Sequence, residues 1–326
     1  MDRTLRAERT TVDTWAPVWS AVLMTIEMRF GVNVAWLSRG QAPPAEAARA
    51  AEEAGFDVVT AADHVGSTSP FVALAAASAV TRRVRLRTYV LDFGFWNPGL
   101  LARDVATLDA ISGGRVELGV GVGHMRHEHE AVGLPFAPYG ERLGELARFL
   151  AEVRRHLAGE QVSPRPVQRP VPLLMGSMSR RGLDLAGREA DVVALTGLMN
   201  APGGSGPGSF RVCSTAEFDE RVGWVREARA THGRPDTPLD MLVQKVVLDR
   251  DPREAATQDA AEAAAEGDTL TTVDGLLDSP AFLYARTPQD GAALLRERGE
   301  RWGIGSWCVH QPSLAEMARV IRAVRG

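Results

Sequence analysis

The run from Leu108 to His124 constrains the fold more than any other part of the chain. It reads Leu108-Asp109-Ala110-Ile111-Ser112-Gly113-Gly114-Arg115-Val116-Glu117-Leu118-Gly119-Val120-Gly121-Val122-Gly123-His124. An apolar, periodic segment stops at Ser112-Gly113-Gly114, where glycine takes the left-handed conformation that closes a helix. Val116 to Val120 then reads as a short strand. Gly119, Gly121 and Gly123 strip its exit of side-chain bulk, which predicts a close approach of backbone to a flat or phosphorylated ligand. A helix feeding a strand that opens on a bare mouth is one repeat of an α/β enzyme.

The same alternation runs along the rest of the chain. Strand patterns fall at Phe30 to Leu37, Phe56 to Ala61, Val84 to Leu91, Val116 to Val120, Val171 to Met175, Asp191 to Leu195, Leu239 to Leu248 and Ser306 to Val309. Helices are predicted between them, several opened by proline at the first turn (Pro43-Pro44, Pro70, Pro98). From Glu141 to Leu157, Leu143, Leu146, Leu150, Val153 and Leu157 fall at helical spacing. Eight strands alternating with helices predict a (β/α)8 TIM barrel with loop insertions, and 326 residues is an ordinary length for one. Residues 28–326 are expected to form that single domain. Residues 1–27 are expected to be a disordered extension, or the result of a start codon placed ahead of Met28. Arg3, Arg6 and Arg9 precede an apolar run, but Asp2, Glu8, Asp13 and Pro17 argue against a secretory signal.

A net charge of -4 gives no support for a nucleic acid or an anionic membrane as partner. No apolar run reaches a membrane span. Two distant cysteines, Cys213 and Cys308, fit a reducing cytoplasm rather than a disulfide framework. Lys245 is the only lysine among 37 basic residues, a bias of the kind a GC-rich bacterial genome produces.

In such a barrel the chemistry sits at the carboxyl ends of the strands. The candidates are Asp63 and His64, Asp92, Gly121 to His124, Gly176 to Ser179, Thr196 and His310. His64 beside Asp63 suits proton transfer or hydrogen bonding to a ring; it would equally serve to cap the next helix. Gly176-Ser177-Met178-Ser179-Arg180-Arg181-Gly182 joins a strand to a helix amino terminus, with two hydroxyls and two arginines at hand. That is a phosphate seat, or else an ordinary turn with Ser179 as N-cap. His124, His127, Glu128, His129 and Glu130 invite a metal, but consecutive ligands seldom converge on one ion, and strand one carries no histidine pair; no metal is expected. Met199 to Ser209, rich in glycine and proline, reads as a mobile lid. Trp36, Phe93, Phe95 and Trp96 suggest an apolar pocket at the mouth, or core.

These motifs together resemble the luciferase-like monooxygenases, also called the bacterial luciferase superfamily. The resemblance runs from about Met28 to the end. It rests on Ala54-Gly55-Phe56-Asp57 leading to Ala62-Asp63-His64, and on Leu108-Asp109 through Ser112-Gly113-Gly114-Arg115 to Leu118-Gly119-Val120-Gly121. Glu130-Ala131-Val132-Gly133 with Glu141-Arg142, Leu174-Met175-Gly176-Ser177 and Glu189-Ala190-Asp191 add to it. It implies the barrel already argued and a bound coenzyme F420 or reduced FMN. It implies cofactor contacts from Asp63, from Gly176, Ser177, Met178, Ser179 and Arg180 at the phosphate, and from Val122 and Gly123 along the ring. His64 is implied near the ring as the catalytic group, and a non-proline cis peptide is implied at Tyr89–Val90. FMN-binding members can place an arginine near Val122, and this chain has none there, which favours F420. The expectation is hydride transfer between reduced deazaflavin and a small organic substrate. The alternative is a two-component FMN-dependent monooxygenase served by a separate flavin reductase. A metal-dependent hydrolase and a non-catalytic barrel subunit are the remaining alternatives. A homodimer is also implied.

Overall fold

The computed structural model describes residues 28–35, 41–159, 162–201, 210–265, 268 and 270–326. The expected extension over residues 1–27, Trp36, and residues 202–209 of the expected lid lie outside the described residues.

Eight parallel strands close into a barrel: β1 (Arg29–Asn33), β2 (Val58–Ala61), β3 (Arg85–Thr88), β4 (Val116–Gly121), β5 (Leu173–Gly176), β6 (Val192–Leu195), β7 (Leu239–Val243) and β8 (Ile304–His310). Each pairs with its successor, and β8 returns to β1 with Arg29 opposite Ser306. Helices lie between successive strands and are cut where the sequence places their signals. Asn97 caps Pro98–Ser112 by accepting from the Gly99 and Leu100 N–H groups, and Gly113 closes that helix at φ 71°. No helix among the described residues is long and apolar enough to cross a membrane.

Four segments differ from expectation. The seventh strand segment divides: Leu239–Val243 stays in the barrel, while Lys245–Val247 leaves it to pair with Phe282–Tyr284, a strand the pattern does not reveal. The polar stretch after β4 contains a short helix, Arg126–Ala131, and the acidic segment before Asp278 contains Val273–Asp278. Leu198–Asn200 pairs antiparallel with Phe210–Val212 and so forms an arm over the barrel's carboxyl end.

The glycines of β4 and its exit make room for a neighbouring segment. The Tyr89–Val90 peptide is cis, and the chain resumes at Leu91–Asp92, opposite Val120 and Gly121. A Cβ on Gly119 would lie 2.0 Å from the Thr88 carbonyl oxygen, and one on Gly121 would lie 2.8 Å from Val90 Cγ2. On Gly123, whose φ is +73°, it would lie 2.0 Å from Asp92 Oδ2. The three alternate glycines are therefore a socket for the irregular edge of β3. Gly119→Ala is expected to lose about 1–3 kcal/mol of stability, because the carbonyl it meets is backbone and cannot swing away. Gly144→Ala, with open space around it inside Tyr139–Ala158, should gain up to about 1 kcal/mol. Urea unfolding midpoints of the two variants check the contrast.

Inside the barrel the packing is ionic as well as apolar. Arg87, wholly buried, lies between Glu117 (Nε to Oε2, 2.6 Å) and Asp240 (Nη1 to Oδ2, 2.5 Å). Asp240 also accepts from the Tyr89 and Ser306 hydroxyls, each at 2.5 Å. Arg29 and Arg85 reach Glu117 from the amino-terminal end.

Candidate active site

The strand ends bring the expected site residues to one face. After β5, Ser179 caps Arg180–Glu189 by accepting from the Gly182 N–H at 3.1 Å, and Ser177 Oγ accepts from the Ser179 N–H at 3.3 Å. The Tyr139 hydroxyl, from the first turn of Tyr139–Ala158, meets Ser179 Oγ. Three hydroxyls thus gather at a helix amino terminus, where the helix dipole favours an anion. Gly182 makes the gathering possible, since a Cβ there would lie 2.1 Å from Ser177 Oγ and 2.6 Å from the Tyr139 hydroxyl. The N-cap and phosphate-seat roles are therefore compatible in Ser179. Arg180 is exposed and turns to Glu227 (3.2 Å) and the Trp224 ring. Tyr139 is a member of this cluster that sequence reasoning missed; its position opening a long helix is the only signal.

Val90 and the exit of β4 adjoin this seat. Val90 Cγ1 would stand 3.9 Å from a Cβ on Gly176. Tyr89 sends its hydroxyl inward to Asp240. The Val122 and Gly123 carbonyls accept from Arg142 at 3.3 and 3.2 Å. The same buried guanidinium reaches the Ala137 carbonyl at 2.6 Å and lies 3.6 Å from the Phe136 ring centroid. Arg142 thereby fixes the loop after β4, a role hidden in the Glu141-Arg142 motif.

Across the mouth, His64 Nδ1 lies 3.0 and 3.2 Å from the two carboxylate oxygens of Glu128. Its ring meets His124 edge-on, centroids 5.8 Å apart. Partial desolvation, and then the neighbouring His64, push the His124 pKa down, so His124 is held toward its neutral form. Phe210, where the arm returns, lies 5.7 Å from the His124 ring. Asp63 accepts from the Trp96 indole N–H at 2.8 Å and from the Asp92 N–H at 3.3 Å. Burial raises its pKa against those bonds. Asp63 thus braces the wall rather than standing free in the mouth. Of the expected aromatic pocket, Phe93 is buried core, while Phe95 and Trp96 are half-buried. On the opposite rim His310 lies 3.3 Å from Gln244, with its pKa lowered by burial.

The histidine and carboxylate run after β4 is divided among different partners. Glu128 goes to His64 and His129 goes to Asp92, at 2.9 Å. Among the described residues no three His, Cys, Asp or Glu side chains are grouped as metal ligands.

The sequence profile described as luciferase-like monooxygenase matches residues 28–316. An F420-dependent glucose-6-phosphate dehydrogenase of Nakamurella multipartita is 32% identical over 256 residues, 71% of each chain. Another, from Beutenbergia cavernae, is 35% identical over 164 residues, 43% of this chain and 48% of that one. Among solved structures, an F420-dependent secondary alcohol dehydrogenase bound to an F420-acetone adduct superposes with a TM-score of 0.72. It is 18% identical, over 92% of this chain and all of that one, a likeness of fold.

Proposed function

Because the chain belongs to the luciferase-like monooxygenase family, we propose that it is an oxidoreductase that uses coenzyme F420 to move hydride between the deazaflavin and a small organic substrate. The observation that carries this is the pairing, on one barrel face, of an anion seat with a histidine held by a carboxylate. F420-dependent relatives at 32% and 35% identity favour the deazaflavin over FMN.

The residues present fit the group. The Gly182 cradle, the Ser177 and Ser179 hydroxyls and the helix amino terminus suit its phosphate. The loop fixed by Arg142 at Val122 and Gly123, with Val90 beside it, offers an apolar edge for a flat ring. When bound, the cofactor supplies the hydride donor or acceptor, chemistry no side chain provides. The protein's part is to orient, to exclude water, and to hold or take a proton at His64. The reading includes a small-molecule substrate and, as the resemblance implies, a homodimer.

Fluorescence-quench titration with F420, and separately with reduced FMN held without oxygen, tests it. Binding of F420 at micromolar concentration is expected. Tight binding of reduced FMN alone would replace it with a two-component monooxygenase supplied by a flavin reductase. Ser177→Ala should weaken F420 binding about tenfold, the loss of one hydrogen bond to a charged group, with little change in the urea midpoint.

A further inference from the structure

Glu128 is brought to His64 by a separate piece of machinery. The short helix Arg126–Ala131 is pinned through His129, which is buried. The Pro135 carbonyl can only accept, so it takes the His129 Nδ1–H at 3.0 Å, while Nε2 faces Asp92 Oδ2 at 2.9 Å. Phe95 and Phe136 flank the ring, with centroids at 4.6 and 5.0 Å. Gly94 makes room for it, since a Cβ there would lie 2.6 Å from His129 Cε1. Successive helical residues point about 100° apart, so with His129 locked inward Glu128 is set toward the mouth. Its carboxylate is mostly buried, 12% exposed, and both oxygens lie within 3.2 Å of the same His64 nitrogen.

We propose that Glu128 is a positioning residue for His64, fixing the imidazole in the tautomer that carries its hydrogen on Nδ1 and leaves Nε2 as a lone pair. An ionised carboxylate only accepts, so Nδ1 must donate to it. The Nε2 lone pair is then directed away from Glu128, and the ring cannot turn without giving up the carboxylate. This rests on the oxidoreductase reading for its use. With an alcohol in the mouth, the His64 Nε2 lone pair would take its hydroxyl proton, and oxidised deazaflavin, when bound, would supply the acceptor for the hydride that leaves the alcohol carbon. The products would be a carbonyl compound, the reduced cofactor and a protonated His64, which would return its proton to water. The same arrangement runs backwards for reduction.

The direct test needs no cofactor. Nitrogen-15 to proton long-range spectra of the imidazoles, in mildly alkaline buffer, report which ring nitrogen of His64 carries hydrogen, with His64→Asn identifying the resonance. The wild-type protein should show Nδ1–H alone. Glu128→Ala should abolish that preference, and Glu128→Gln, which keeps an acceptor oxygen, should restore part of it. In turnover, Glu128→Ala should lower kcat about 10- to 100-fold with F420 affinity unchanged. It should cost nothing further in a His64→Asn background, since a residue acting through another is silent without it. A His64 tautomer indifferent to Glu128, or an equal loss of kcat in both backgrounds, would overturn the proposal and leave Glu128 as a brace for its helix. A tautomer shift without F420-dependent turnover on any substrate would sustain the pairing and sink the oxidoreductase reading instead.

Discussion

Arg87→Met is expected to be the most destabilising single change in the barrel, costing about 3–5 kcal/mol, the range for stripping one partner from a buried ion pair. The substitution keeps an unbranched side chain but leaves Glu117 and Asp240 facing each other's field across the barrel axis, both shielded from water. Glu117 retains Arg29 and Arg85, whereas Asp240 keeps only the Tyr89 and Ser306 hydroxyls. Adding Asp240→Asn to Arg87→Met should therefore recover a large part of the loss, which urea unfolding of the single and double variants would measure. Acid exposes the same network in the unmodified protein. Burial by itself would raise the Glu117 pKa; Arg87, then Arg29 and Arg85, outweigh it and hold the carboxyl far below the ordinary carboxylate value. A lowered folded-state pKa contributes stability above the unfolded value and loses it as pH falls toward the folded one. Stability should thus drop below about pH 4, where unfolded carboxylates begin to bind protons, and Glu117→Gln should flatten that slope. A slope unchanged in the variant would assign acid sensitivity to other carboxylates.

That network also marks where sequence reading stops. Val116-Glu117-Leu118 and Arg85-Leu86-Arg87 alternate charged and apolar residues, a pattern that usually means one wet face. In a closed small barrel the alternate face points into the lumen, and only the fold tells the two apart. Most strand positions and helix ends were legible because they depend on local signals such as Pro98, Gly113 and Ser179. The turn from Gly176 to Ser179 was legible for the same reason, being a strand, a turn and a capped helix in succession. The Glu128–His64 contact was not. It joins residues separated by 64 positions and depends on His129 being drawn to Asp92, a contact across 37. Nor could the glycines after Leu118 disclose that Thr88, Val90 and Asp92 fill the space they leave.

The remaining large effect concerns the proton. His64 and His124 meet edge-on at the mouth, and either could in principle exchange a proton with a substrate. They differ in support. His64 is held by the Glu128 carboxylate, at 3.0 and 3.2 Å from Nδ1. His124 is exposed at the rim and sits against His64; partial desolvation and then that neighbour push it toward neutrality. A group that must gain a proton as an alcohol is oxidised needs the first environment, because the second penalises the charged form at the moment it is made. His64→Asn is therefore expected to lower kcat about 10²–10⁴-fold, the usual worth of a general base. F420 affinity should hold, since the anion seat is built from Ser177, Ser179 and Tyr139 on other elements. His124→Asn should cost roughly tenfold or less by the same scale, through the shape of the mouth rather than proton transfer. Steady-state kinetics on both variants, with F420 binding measured alongside, decide between the two. A reversal of the order would move the base to His124 and leave His64, with Glu128 behind it, as a wall of the mouth.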